Sequence, residues 1–205
     1  MLLTRENGRF SAFARGARRL KSPLSAVTEP FCYGEFYVFR GRDSYTVEEV
    51  KINDFFPELR KDLDRLYMGM YFCEVSDYFT REGMEARDEL ELLYRAMSAL
   101  RSDNGIDIRL TRHIFELRLL SIAGYSPRYD EEKKVWRDDL GEWKLSQTAS
   151  YTIGQILTRP MRELFSFMVS EPVLAELGSC VTLFLKRNTD RQFRSIRALE
   201  ALQIQ

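Results

Sequence analysis

The sequence predicts an α+β protein in which a short N-terminal β-barrel or sandwich precedes a longer helical region. Apolar residues come in short alternating runs before residue 54 and recur every three or four residues after it. The charge changes along the chain as well. Residues 1–42 contain eight basic and three acidic residues, and the rest of the chain contains 23 basic and 28 acidic ones. A basic head and an acidic body predict two parts with different partners.

The N-terminal part has the signals of antiparallel strands. The segment between Gly8 and Gly16 alternates with a period of two, and Phe31–Arg40 is aromatic and apolar on both faces. Residues 41–44 (GRDS) are typical of a hairpin turn, and Tyr45–Ile52 then forms the return strand. Several short strands separated by turns favour a small closed or packed β-structure.

The remainder of the chain is predicted to be helical. Three apolar stripes with helical spacing begin at Leu59, Leu90 and Ile106, and Gly124 ends the third helix. Thr158 and Ser170 each lie two residues before a proline, which predicts the N-caps of two later helices. Residues 125–149 are polar and acidic, and they predict a small surface hairpin that packs through its two tryptophans.

Composition excludes several classes of protein. With 44% hydrophobic and 30% charged residues, the 205-residue chain is expected to fold around a core. No apolar run approaches the length of a membrane helix, and the first residues lack the apolar centre of a signal peptide, so a cytoplasmic location is expected. Three scattered cysteines and one histidine argue against disulfides, a zinc site or another cofactor. The acidic runs 130–132 and 138–139 could bind a metal, although such runs are usually solvated.

The first predicted strand and the loop after it form a candidate nucleic-acid site. One face of the strand places Phe13 between two arginines, which suits single-stranded nucleic acid because bases stack on rings and phosphates attract guanidinium groups. The alternative is a solvated basic edge strand with Phe13 packed against a helix. The basic residues of the strand and loop are Arg9, Arg15, Arg18, Arg19 and Lys21.

Two other features have two interpretations each. The aromatic run from Phe31 to Phe39 could fill the core on both faces of its strand or offer rings for base stacking. His113 follows Leu110 by one helical turn, which favours a buried structural histidine over a general base. The chain has no phosphate-binding loop and no evident catalytic constellation, so we expect it not to be an enzyme. A hydrolase built on His113 and a distant serine stays open as a remote alternative.

The order of several short motifs resembles the bacterial RecO family of recombination mediators. The resemblance covers nearly the whole chain except residues 125–149. Its segments are the loop Arg15-Gly16-Ala17-Arg18-Arg19, Pro30-Phe31, 37–41 (YVFRG), 115–120 (FELRLL), Gly124-Tyr125, 164–167 (LFSF) and 194–200 (RSIRALE).

The resemblance implies an OB-fold over residues 1–54 and a helical domain over residues 55–205. It also implies a non-enzymatic protein that binds single- and double-stranded DNA and anneals complementary strands. With RecR, such a protein helps RecA to displace single-strand-binding protein, at the nucleoid and without a membrane or a small-molecule substrate. The alternative is a helical interaction module that has lost DNA binding. The DNA-binding residues that the resemblance implies are Arg9, Arg15, Arg18, Arg19, Lys21, Arg40 and Arg42, and the strand pattern adds Phe13.

The chain departs from the family pattern in two places. Many members have a four-cysteine zinc module after the Gly-Tyr motif, whereas residues 125–149 contain no cysteine, so no zinc is expected here. Members usually also have a further strand upstream of Met1. The first strand of a five-stranded OB barrel is therefore expected to be missing from this sequence.

Overall fold

The computed structural model describes residues 1–19, 22, 24–25, 29–101, 105–139 and 141–202. Within these residues five strands come first and a mainly helical region follows, so the predicted α+β class is confirmed. The strands are β1 (Leu2–Thr4), β2 (Gly8–Phe10), β3 (Ala12–Phe13), β4 (Tyr33–Arg40), β5 (Tyr45–Asp54), β6 (Arg128–Asp130), β7 (Val135–Asp138) and β8 (Gly141–Trp143). The helices are α1 (Leu63–Phe79), α2 (Arg87–Ala99), α3 (Ile108–Ile122), α4 (Gln147–Thr158), α5 (Glu171–Arg187) and α6 (Arg194–Leu202).

The N-terminal strands form two small sheets. Strands β1 and β2 pair antiparallel, and the second sheet has the order β3-β5-β4, with β3 parallel and β4 antiparallel to β5. The predicted hairpin turn is present, because the Gly41 N–H donates to the Ser44 carbonyl over 2.8 Å. The predicted strand between Gly8 and Gly16 is interrupted at Ser11, which lets its two halves join different sheets.

The strands rest on the helices through aromatic side chains. Phe31 precedes β4 and is buried, and its ring lies so close to Gly69 that a Cβ added there would be 3.0 Å from the Phe31 Cζ atom. Tyr33 packs on Tyr94 with ring centroids 4.4 Å apart. Phe31 and Phe56 belong to the same buried cluster as the helices. One hydrophobic core therefore extends from the helices to the strands.

The predicted apolar stripes form the centre of this core. Leu59 is buried but lies in a separate 3₁₀ turn over Pro57–Lys61, because Asp62 starts α1 by accepting the Arg65 N–H over 3.1 Å. The third helix ends as predicted at Gly124, whose positive φ of 91° lets the Tyr125 N–H reach the Leu120 carbonyl. No described helix has both the length and the apolar character required to span a membrane.

Of the two predicted N-caps, Thr158 is wrong and Ser170 is confirmed in position. Thr158 is the last residue of α4, not the start of a helix, and its hydroxyl donates to the Gly154 carbonyl over 2.8 Å. The following Pro160 holds Arg159 in an extended conformation, which ends α4 and leaves one 3₁₀ turn over Met161–Glu163. Ser170 is the N-cap of α5, and Pro172 lies in the first turn as predicted, although the Ser170 side chain makes no capping hydrogen bond.

Residues 125–149 contain a three-stranded antiparallel sheet with the order β6-β7-β8. Trp136 on β7 is directly opposite Trp143 on β8. The Trp136 Nε1–H donates to the Ser150 hydroxyl of α4 over 2.8 Å, and the Trp143 ring meets Phe184 of α5 edge-on at 5.7 Å. The sheet is thus attached to two helices by its tryptophans. In the described part of the chain, no three potential metal ligands come together.

Candidate nucleic-acid interface

Three exposed rings lie on one face of the β3-β5-β4 sheet. Phe13 of β3 is paired with Thr46 of β5, and Thr46 is paired with Phe39 of β4. Directly opposed residues share a face of a sheet, and so do residues two apart on one strand, which adds Tyr37. The side chains of Phe13, Phe39 and Tyr37 are 63%, 57% and 45% exposed. We call these three residues the aromatic row.

The spacing of the aromatic row follows from the sheet. Two strand separations place the backbones of Phe13 and Phe39 roughly 10 Å apart, with the small Thr46 side chain between them. Tyr37 is held by Lys51, whose Nζ donates to the phenol oxygen over 3.1 Å and lies 5.1 Å from the ring centroid. This hydrogen bond raises the pKa of Lys51 and keeps its positive charge beside the ring. The row offers flat apolar faces to solvent.

The exposure of the row corrects the interpretation of the aromatic run as core on both faces. Phe31 is buried, but Tyr37 and Phe39 are not. The physical reason is that Glu35 shares their face by the same period of two, so this face is turned to water. The rings on that face have no apolar layer to cover them in the described structure. The Phe13 ring is likewise exposed, which disagrees with the alternative interpretation that it packs against a helix.

A basic loop follows β3 directly and consists of residues 15–19 (RGARR). Its turns are closed by hydrogen bonds from the Ala17 N–H to the Ala14 carbonyl and from the Arg19 N–H to the Gly16 carbonyl. Gly16 has a φ of 80°, which a residue with a side chain rarely adopts. Ala17 is buried, whereas Arg15, Arg18 and Arg19 are exposed. None of these three arginines forms an ion pair with another described residue.

The other predicted site residues have different environments. Arg9 points to the helices, and its Nη1 donates to Asp77 of α1 over 3.0 Å, so this guanidinium is already paired. Arg40 lies on the sheet face opposite to Phe39, with its guanidinium 5.8 Å from the centroid of Tyr45. Arg42 is exposed in the hairpin turn, and Lys21 lies outside the described residues. Phe13, Arg15, Arg18 and Arg19 are therefore exposed and follow one another closely along the chain, whereas Arg9 is engaged by a helix.

The two ends of the aromatic row differ in electrostatic character. Glu49 is directly opposite Tyr37 on β5 and is exposed. Glu49 and Glu35 together outnumber Lys51 at the Tyr37 end, so the net negative charge there repels a phosphate group, whereas the basic loop at the Phe13 end attracts one. A strand of nucleic acid is thus favoured at the end of the row formed by Phe13 and Phe39.

His113 belongs to a buried hydrogen-bonded network and not to the exposed face of the sheet. Its Nδ1 lies 3.1 Å from Glu116 Oε2, and the fully buried Glu116 also accepts from Arg112 and Tyr71. On the other side of the ring, a Cβ added to Gly178 would be 2.8 Å from Nε2. The histidine thus occupies the buried structural position that the sequence favours, with no room for a substrate at either nitrogen.

Comparisons with known proteins agree over nearly the whole chain. Residues 1–56 match the family model "Recombination protein O N terminal", and residues 60–197 match "Recombination protein O C terminal". A DNA repair protein RecO from Acetivibrio thermocellus is 30% identical, over 98% of this chain and 88% of the relative. The DNA repair proteins RecO from Clostridium kluyveri (26% identical, 98% and 86% coverage) and Alkaliphilus metalliredigens (31%, 85% and 69%) are also similar.

Proposed function

Because this chain belongs to the RecO family and so has a role in DNA repair and recombination, we propose that it binds single-stranded DNA with the basic loop and the aromatic row. The observation on which this rests is that Arg15, Arg18 and Arg19 are exposed, form no ion pair with another described residue and directly follow the exposed Phe13 of strand β3 along the chain. Arginines release counterions from phosphates, and rings stack on bases without regard to sequence. Both interactions suit a protein that must bind any sequence.

We further propose that the protein acts without catalysis, as a mediator at the nucleoid. It would anneal complementary single strands and, together with RecR, help RecA to replace single-strand-binding protein on DNA. These activities need a surface that binds DNA reversibly, and a binding energy that is largely electrostatic is easily adjusted by competing charges. Duplex DNA would bind through the basic loop alone, because its paired bases are not free to stack on the aromatic row.

The experiment that tests the site is a DNA titration of a double variant of the loop. Arg18→Ala with Arg19→Ala should lower the affinity for an oligo-dT strand and reduce the slope of log K against log salt by about two, because roughly one counterion is lost per phosphate contact. The fold should survive, since exposed loop substitutions usually change stability by less than about 0.5 kcal/mol. Fluorescence anisotropy at four salt concentrations measures both quantities.

The matched control replaces two exposed arginines of the helical region, Arg87→Ala with Arg162→Ala, which changes the net charge equally. This control should keep most of the affinity and the full salt slope. A loop variant that bound DNA as tightly as the parent at every salt concentration would remove the loop from the site. The helical interaction module without DNA binding would then be the better proposal.

A further inference from the structure

The space between Phe13 and Phe39 is a distinct part of the aromatic row. Both residues are paired with Thr46 of β5, one on each side, so the pairing of β5 with β3 and β4 sets their separation. Thr46 is half-buried, and its short side chain stays below the level of the two rings. We call the space bounded by Phe13, Thr46 and Phe39 the ring gap.

The ring gap is open in the described structure. Phe13 and Phe39 are mostly exposed, and neither ring contacts another described ring. The Cε1 atom of Phe39 lies 3.9 Å from the place that a Cβ added to Gly41 would take, so this ring leans along its own strand toward the hairpin turn and not across the sheet. The side chains of a strand stand roughly perpendicular to the sheet. The two rings therefore form opposite walls above Thr46.

The width of the ring gap corresponds to a stack of two nucleic-acid bases. Two strand separations amount to roughly 10 Å. Stacked bases follow one another at about 3.4 Å, so a ring, two bases and a second ring span three such intervals, which is about 10 Å. One base would leave about 3 Å of this width unfilled, and three bases would need about 14 Å. A two-base stack thus fits better than a shorter or a longer one.

The surroundings of the ring gap favour an anionic occupant. From Phe13 the chain continues into the basic loop, whose three exposed arginines form no ion pair with another described residue. The acidic side chains of Glu35 and Glu49 lie beside Tyr37, at the opposite end of the aromatic row. Two aromatic rings of a peptide would have the same thickness as two bases, but they lack the phosphate that the arginines attract.

We propose that the ring gap holds two adjacent, stacked bases of single-stranded DNA, with Phe13 against one side of the stack and Phe39 against the other. This inference rests on the proposed function and adds to it the unit that is bound, which is a stacked pair of neighbouring bases and not two separate bases. All bases have the same thickness and a flat face, so the ring gap accepts any sequence. Thr46 determines the unit, because its small side chain keeps the gap open.

The test compares the binding of three strands of equal length and charge to the full chain. Each strand consists of abasic residues: the first has two adjacent adenines at its centre, the second has one abasic residue between the two adenines, and the third has no base. The adjacent adenines should bind roughly fivefold tighter than the spaced ones, or more, since they alone form a continuous stack of the required thickness. Fluorescence anisotropy of a terminal dye at one fixed salt concentration measures the three affinities.

The outcomes separate this proposal from the proposed function. Equal or tighter binding of the spaced adenines would show that each ring takes a base of its own, which overturns the proposal and leaves DNA binding in place. Equal binding of all three strands would overturn it as well, because binding would then depend on the phosphates alone. Failure of every strand to bind, oligo-dT included, would overturn the proposed function too.

A pair of substitutions at Thr46 locates the stack. Thr46→Trp fills the ring gap with a third ring, and tryptophan is favoured in strands, so the fold should be retained. The advantage of the adjacent adenines should disappear in this variant, whereas Thr46→Val keeps the shape of the side chain and should keep the advantage. An undiminished advantage in a folded Thr46→Trp variant would contradict the position of the stack. If that variant did not fold, the three strands would still test the proposal on the unaltered protein.

Discussion

The side chain of Phe39 is 57% exposed although phenylalanine is among the residues most often buried. Thr46 lies between Phe39 and Phe13 across the sheet, and its small side chain leaves space between the two rings. Large rings with free faces are costly to solvate and gain most from a flat apolar partner. At the scale of the residue, the candidate interface thus consists of a few rings whose uncovered faces are free to bind a flat apolar partner.

Replacing the ring of Phe13 or of Phe39 should distinguish the contribution of stacking to DNA binding from that of charge. Phe13→Ala and Phe39→Ala should each weaken binding of single-stranded DNA by about 1–3 kcal/mol and leave the salt slope unchanged, because stacking releases no counterions. Titrations of oligo-dT at several salt concentrations measure both effects. Tyr151→Ala removes a similarly exposed ring from α4 and should leave the affinity unchanged. If the ring variants lost salt dependence as well, the rings would be acting through the position of the basic loop.

The buried Glu116 makes stability depend on pH. Burial alone would raise its pKa, but the adjacent Arg112 and the hydrogen bonds from His113 and Tyr71 outweigh burial and lower the pKa to about 2. A carboxyl with a depressed folded pKa stabilises the protein above its ordinary pKa near 4.5. That contribution is lost as the pH falls from there to the folded value.

Glu116→Gln should therefore flatten the acid limb of the stability curve. Between about pH 4.5 and 2, urea denaturation should show a smaller loss of stability in the variant than in the parent protein. At neutral pH the variant should be less stable by about 3 kcal/mol, since Arg112 loses its charge-assisted contact with Glu116 in a mostly buried place. Glu91→Gln, which leaves the half-exposed pair with Arg95 unmatched, is the control and should change both quantities little. An unchanged acid limb in Glu116→Gln would contradict this assignment.

The sequence predicted some of these residues and missed others for physical reasons. The period of two around Phe13 predicted a ring on a solvent face, and Gly16 predicted the sharp turn of the loop. Tyr37 and Phe39 were less informative, because aromatic residues favour strands whether they are covered or not. The residue in the sequence that could have indicated their exposure was Glu35, which shares their face of the strand. The partner of Arg9 is 68 positions away along the chain, and no local pattern could indicate it.

At the scale of the element, the β6–β8 sheet depends on its tryptophans. Trp136→Ala should lower the free energy of unfolding by about 3–5 kcal/mol, since it removes a large buried ring and the hydrogen bond to Ser150. Tyr129→Ala, on the neighbouring strand and 38% exposed, should cost much less. Chemical denaturation measures both.

A metal chelator should leave the melting temperature unchanged, and a tightly bound zinc ion would contradict the cysteine-free packing of this sheet.

The sequence predicted the boundary of an element correctly where a single residue determines the local backbone conformation. Gly124 ends α3 because its positive φ is unfavourable for other residues, and the hairpin turn at Gly41 forms as its composition predicts. The Thr158 prediction failed because two local signals competed there. A serine or threonine before a proline is typical of a helix start, but the same proline can end the preceding helix, and the packing of α4 decided the outcome.

At the scale of the whole molecule, charge divides the chain whereas the core unites it. The residues before position 43 have a net positive charge and the rest a net negative one, yet the buried cluster includes Phe31 and Phe56 from the strand region as well as the helices. The composition shift predicts two parts with different partners, and it could not show that their interiors join. Side chains such as Tyr33 and Tyr94, which make the connection, are far apart in sequence.

A continuous core predicts that strands and helices unfold together. Val47 is 5% exposed on β5, and Val47→Ala should lower the free energy of unfolding by about 2 kcal/mol through lost burial and a small cavity. Both tryptophans lie in the β6–β8 sheet, so their fluorescence reports on the helical region alone. The urea midpoint of this fluorescence should nevertheless decrease in Val47→Ala, in step with that of an oligo-dT binding assay. An unchanged tryptophan midpoint beside a lowered DNA-binding midpoint would show that the strands unfold independently, and the aromatic contacts at Gly69 and Tyr94 would then couple the two regions only weakly.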